Sequence, residues 1–97
     1  MYTVKLHRTG SDLLVAACDR ELIGRTLREG ELRLEVRKSF YSAEDGDEEM
    51  LLNRLSLATM ANLVGERTVG IAIEHNYVCE ESVMVIEGVP HAQMVKM

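Results

Sequence analysis

Six consecutive residues, Leu13 to Cys18, carry no charge, amide or hydroxyl, and that run limits the folds open to the chain. It is far shorter than the roughly 20 residues a membrane span needs. Bounded by the turn cluster Thr9-Gly10-Ser11-Asp12 and by Asp19, it reads as a strand buried on both faces. Before it, Tyr2, Val4 and Leu6 alternate with Thr3, Lys5 and His7, the period of a strand with one buried face. The two segments and the turn between them predict a β-hairpin.

Asp19 is placed to cap a short turn through Arg20-Glu21-Leu22-Ile23 that stops at Gly24. Arg28-Glu29-Gly30 then turns the chain into Glu31–Arg37, whose alternation predicts a third strand with Leu32, Leu34 and Val36 inward. Ser39 to Gly46 is expected as a loop carrying Phe40 and Tyr41. Asp47 opens the clearest helix, with Glu48 and Glu49 where the helix dipole favours acids. An apolar stripe of Leu51, Leu52, Leu55, Ala58 and Thr59 carries that helix to about Asn62.

Gly65 is expected to cap a second helix from Glu66 to His75, with Val64 and Val69 as a hydrophobic staple. Val69, Ile71 and Ile73 also alternate, so a strand competes there. Asn76-Tyr77-Val78 has the form of a C-cap with its hydrophobic follower and favours the helix. Ser82–Ile86 reads as another strand, Glu87-Gly88 as a turn, and the apolar tail ending in Met94, Val95 and Met97 as a last strand or docked arm. Strands, two helices and strands again predict an α+β fold. It is expected as one domain over residues 1–97, a two-layer sandwich with a mainly antiparallel sheet and both helices on one face.

Apolar residues make up 46% of the chain, enough for a core without disulfides. The net charge of −5 arises in residues 46–97, where three Lys/Arg face eight Asp/Glu. Phosphate-neutralising domains carry a net basic surface, so charge does not support an RNA partner. The stretch holding Arg20, Arg25, Arg28, Arg33, Arg37 and Lys38 is the one candidate basic patch, and five acids interleave it. Cys18 and Cys79 share no Cys-x-x-Cys spacing, and residues 1–5 lead into a strand, so a reduced, cytoplasmic protein is expected with no membrane attachment.

The chemistry-bearing residues each have a bland reading beside the sharp one. His91, after Pro90, is expected on a rigid loop, as a general base near the Gln93 amide or as a pin for the tail. Cys18 at a helix start can be drawn as a nucleophile paired with His91, although Asp19 beside it opposes a thiolate. His75 and Cys79 are four apart but lack further ligands, so no metal is expected. Gly65-Glu66-Arg67-Thr68 could hold an anion at a helix start, but it lacks the P-loop lysine.

The stretches Asp12–Asp19, Ala61-Asn62-Leu63-Val64-Gly65-Glu66-Arg67 and Gly88–Val95 resemble a family of short archaeal proteins catalogued as a domain of unknown function, number 424. The resemblance spans essentially the whole chain. It implies an archaeal source, a stand-alone α+β domain and motif positions at Asn62, Glu66, Arg67, His91 and Gln93, and it brings no activity. If those five meet, they form a small polar binding site. The expectation is a cofactor-free binding or adaptor module with a protein partner, linked to translation or RNA metabolism. The alternative is a small enzyme working through His91, Glu66 and Arg67. A twofold dimer through an exposed edge strand is left open.

Overall fold

The computed structural model describes residues 1–96. Met97, part of the expected docked tail, lies outside the described residues. Strands β1 (Tyr2–Thr9) and β2 (Asp12–Asp19) form the expected hairpin, paired from Tyr2↔Asp19 to Thr9↔Asp12. β2 then enters the middle of a six-stranded sheet. On its far side lies β6 (Met60–Val64), parallel to it, and β6 pairs antiparallel with β8 (Val89–Val95). The outer strands are β5 (Glu44–Gly46) beside β1 and β7 (Met84–Ile86) beside β8, which gives the order β5-β1-β2-β6-β8-β7. A separate hairpin joins β3 (Thr26–Glu29) to β4 (Leu32–Glu35).

Helices α2 (Glu48–Leu57) and α3 (Glu66–Glu74) both cover one sheet face, as expected. Val4, Val15, Ala17, Ala61, Leu63 and Ala92 meet Leu51, Leu55, Val69 and Ala72 there in the larger cluster. The opposite face is also covered, though only in part. Ala16, Cys18 and Val64 pack there against Leu22 of the turn after β2, Leu27 of β3, Val36 just after β4 and Tyr41 of the short helix α1 (Lys38–Tyr41). Burial of Val15–Cys18 on both sides follows from this double cover, while Leu14 is half-buried. No helix among the described residues is long and apolar enough to cross a membrane.

Several elements differ from the sequence expectation, each for a tertiary reason. The first long helix stops at Leu57 rather than Asn62. Thr59 leaves it to donate its N–H to the Leu13 carbonyl at 2.9 Å, and its Oγ1 accepts from the Leu13 N–H at 2.8 Å. Ala61 and Leu63 then enter the helix-side cluster while Val64 enters the opposite one, an alternation of faces that suits a strand. Lys96 Nζ donates to the Leu55 and Ser56 carbonyls, at 3.0 Å each, and closes the helix end. The expected loop at 39–46 contains α1 and edge strand β5. β3 gave no periodic signal because Leu27 is its single buried residue. In β4, Leu32 is 46% exposed while Val36 beyond it is buried.

α3 begins at Gly65 and ends with Asn76 at φ 63°, as the cap residues imply. Tyr77 packs back on the larger cluster, and its N–H donates to the Ala72 carbonyl at 2.8 Å. The expected staple does not form, because Val64 and Val69 belong to opposite sides of the sheet. The cap on α3 comes from Asp19 instead. Its Oδ1 accepts from the Thr68 N–H and the Thr68 hydroxyl, both at 2.8 Å, and Oδ2 accepts from the Arg67 N–H at 3.1 Å. Asp19 therefore caps a helix 48 residues away, and makes no side-chain cap to the turn Arg20–Leu22 beside it.

Gly65 makes this approach geometrically open. It sits at φ 114°, ψ 148°, a region closed to residues with a Cβ, and an added Cβ would lie 2.4 Å from Asp19 Cγ. Replacing Asp19 by Ala should cost about 2–4 kcal/mol, combining a lost cap with an orphaned buried hydroxyl. Gly65→Ala should also destabilise, by at least the roughly 1–3 kcal/mol of a strained backbone. Urea unfolding of both variants checks this, and wild-type midpoints would remove Asp19 and Gly65 from the centre of the fold.

Candidate functional site

Strand register decides which of the motif residues share a face. Asn62 on β6 stands directly across from Gln93 on β8, and Val64 stands across from His91. Ala61, Leu63, Ala92 and Met94 point into the helix-side cluster, so Asn62, His91 and Gln93 project from the other face. His91 thus sits within a strand and not on the expected loop. His91 and Asn62 are half-buried, Gln93 is exposed, and no hydrogen bond among the described residues engages any of the three side chains.

His91 and Gln93 line a cleft of about 450 Å³ between the β3–β4 hairpin and the β7–β8 edge. Its walls are apolar, from Leu32, Leu34, Met84 and Ile86, with Arg33 and Ser82 at the margin. The hairpin is held over the edge by paired contacts. The Arg28 N–H donates to Glu87 Oε1 at 2.9 Å, and the Glu87 N–H donates to Glu29 Oε1 at 3.0 Å. Glu87 at φ 54° and Gly88 at φ 78° form the tight turn that puts Ile86 and Val89 opposite each other beneath the hairpin. Burial lowers the His91 pKa below 6.5, which keeps the imidazole neutral at pH 7, with one donor and one acceptor nitrogen.

Glu66 and Arg67 do not join this cleft. They open α3, which covers the helix-side face. Arg67 is held by acids: Nη2 donates to Glu21, with Oε2 at 2.6 Å, and Nε lies 3.8 Å from Asp19 Oδ2. Glu66 is exposed above a different groove. Three of the five residues therefore converge and two stand apart, so His91, Glu66 and Arg67 do not form one site. The anion site drawn at Gly65–Thr68 is filled from within, since Asp19 takes the N–H groups of Arg67 and Thr68.

The other sequence candidates lie outside the cleft. Cys18 and His91 are both cross-strand partners of Val64, on its opposite sides, so they stand roughly 10 Å apart, two strand spacings. Cys18 is fully buried, and burial together with Asp19 pushes its thiol up to about 12. It is a core residue and not a nucleophile. His75 and Cys79 gather no further ligands, and no group of three or more His, Cys, Asp or Glu suited to a metal occurs among the described residues. His7 Nε2 donates to the Phe40 carbonyl, 2.8 Å away, and the imidazole stacks on the Phe40 ring with centroids 4.5 Å apart. The apolar walls of the cleft were legible only as strand residues. Their shared cleft had no signal in the sequence, because the β3–β4 hairpin brings them together.

The fold and cleft define a small α+β domain with an apolar-walled, polar-floored recess at one sheet edge. The chain belongs to the family described as "Protein of unknown function (DUF424)", whose model matches residues 7–97. Its structure is similar to the crystal structure of an uncharacterized conserved protein from Methanopyrus kandleri, with a TM-score of 0.80 at 21% identity. That match covers 99% of this chain and 93% of the other, and it shows the shared fold. No curated protein matches the chain.

Two measurements check this geometry. The unfolded chain should take up the His91 proton first, because the folded pKa lies below 6.5. Stability contributed at this position is then present above pH 6.5 and lost as the pH falls toward the folded value. An NMR titration of the imidazole should give a midpoint below 6.5; a midpoint at or above it would place His91 in open solvent. With a thiol reagent on the native protein, Cys79 should react at once and Cys18 only on unfolding. Equal reactivity of both would contradict the burial of Cys18.

Proposed function

We propose that this chain is a binding module that uses the cleft beneath the β3–β4 hairpin to hold a protein partner. The observation that carries the reading is the set of Asn62, His91 and Gln93, three neighbouring polar side chains with no internal hydrogen bond. His91 and Gln93 line a cleft whose walls are apolar, and Asn62 stands across from Gln93 on the neighbouring strand. Their polar atoms make no bond within the fold and stay open to solvent, so they are free to bond a partner that enters the cleft. Leu32 and Met84, 46% and 49% exposed, flank the opening and supply apolar area for an anchor side chain. Separation of His91 from Glu66 and Arg67 leaves the catalytic alternative without a general acid–base constellation.

A protein partner is favoured over RNA by what the aromatics do. Tyr41 is buried, and Phe40 is stacked on His7 and packed on the smaller core, so neither offers a free face to a base. Among the Arg-rich residues, Arg20 pairs with Asp45, and Arg33 and Arg37 both pair with Glu35. A cytoplasmic role next to translation or RNA metabolism, in an archaeal cell, enters this reading only through the partner. Capture of partners on the tagged full chain, with and without ribonuclease, tests it. Capture should survive ribonuclease and fall sharply for Met84→Glu and for the pair Asn62→Ala and Gln93→Ala, with circular dichroism unchanged. Capture that ribonuclease abolishes, or that these cleft variants leave intact, would overturn the assignment.

A further inference from the structure

β7 is apolar on both sides. Met84 faces the cleft described above, and Val85, half exposed, faces a second groove of about 330 Å³ between α3 and the β7–β8 edge. The floor of this groove is Val69, Ile73, Val83, Val85 and Pro90. Glu66 stands at one rim and Glu80 at another; both are exposed, and neither makes an ion pair among the described residues. Gly70 lies in the same wall, in the middle of α3. Glycine in a helix interior weakens the helix relative to Ala. Here nothing inside the fold requires it, because an added Cβ would meet no atom within 4 Å and its φ is ordinary. A destabilising residue that the fold does not need keeps the groove wall clear.

We infer that this α3–β7 groove is a second docking site, independent of the cleft, for a short polypeptide segment carrying apolar side chains interspersed with Lys or Arg. The apolar floor takes the anchors, the missing side chain at Gly70 admits the partner's backbone, and Glu66 and Glu80 meet its cations. The same carboxylates select against other occupants. Phosphate backbones and anionic lipid surfaces would be repelled by the rim. A twofold copy of this chain would set Glu66 and Glu80 against their own equivalents, in a molecule whose net charge is already −5.

Panning a random dodecapeptide library on the intact chain tests the assignment, with the selected peptides then measured by fluorescence anisotropy and by amide shift mapping. Selected peptides should be enriched in Lys or Arg and in apolar residues, and should shift the amides of Val69, Gly70, Ile73 and Val85. Gly70→Ala should raise the melting temperature and yet weaken binding measurably, while Gly70→Leu, also folded and no less stable, should abolish it. Glu66→Gln with Glu80→Gln should weaken binding by about tenfold at low salt, and by less at high salt. An empty selection, peptides without basic enrichment, or binding untouched by Gly70→Leu would overturn the proposal. So would self-association that Gly70→Leu abolishes, which would give the groove to a second copy. Shifts confined to Leu32, Met84 and His91 would overturn it while leaving the cleft reading standing. Failure of the cleft variants to affect partner capture would not touch it.

Discussion

The carboxylate of Asp19 ties the molecule together. It ends the central strand β2, receives two backbone N–H groups and one hydroxyl from the first turn of α3, and carries Arg67 beside it. A carboxylate that is 4% exposed is costly to bury unless its oxygens are satisfied, and the first turn of a helix is one of the few places that can satisfy it. The arrangement fixes the angle at which the chain leaves β6 and enters α3. It also imposes Gly65, since only a residue without Cβ fits between the strand end and the carboxylate. Both grooves depend on this joint, because the position of α3 sets one wall of the second and leaves β8 free to floor the first.

The next constraint is the parallel pairing of β2 and β6 at the sheet centre. Parallel strands need cover on both faces. α2 and α3 provide it on one side, and the β3–β4 hairpin with α1 provides it on the other. The second cover is smaller than the sheet, and its border is where the polar side chains lie. Asn62, His91 and Gln93 occupy positions that the period of their strands would otherwise give to core residues. Their neighbours Val64 and Ala16, under the hairpin, are apolar and buried.

Much of this was legible in the sequence wherever a segment is self-sufficient. The β1–β2 hairpin, the Asp47-capped helix, α3 with Asn76 at its end, and the Glu87-Gly88 turn follow from local chemistry: alternation, a capping side chain, a left-handed residue. Segments whose conformation depends on a distant partner were not legible. β5 is Glu-Asp-Gly and pairs only because β1 offers an open edge. Met60–Val64 continues a helical stripe on paper, and becomes a strand because Leu13 captures Thr59 and both sheet faces need filling. Of the site, the residues could be named from their motif positions, but their grouping could not.

By itself, then, the sequence determined the α+β class, the two-sided burial of the central strand, the two helices on one face and the acidic second half. Those properties follow from composition and short-range periodicity, which do not depend on what a residue meets in space. Tertiary structure alone decided that Asp19 caps α3 and not the turn beside it. It also decided that Asn62, His91 and Gln93 meet while Glu66 and Arg67 stand apart. The reason is the two-residue period of a strand together with the register of β6 on β8: neighbours in sequence point to opposite faces, and pairing decides which distant residues share one.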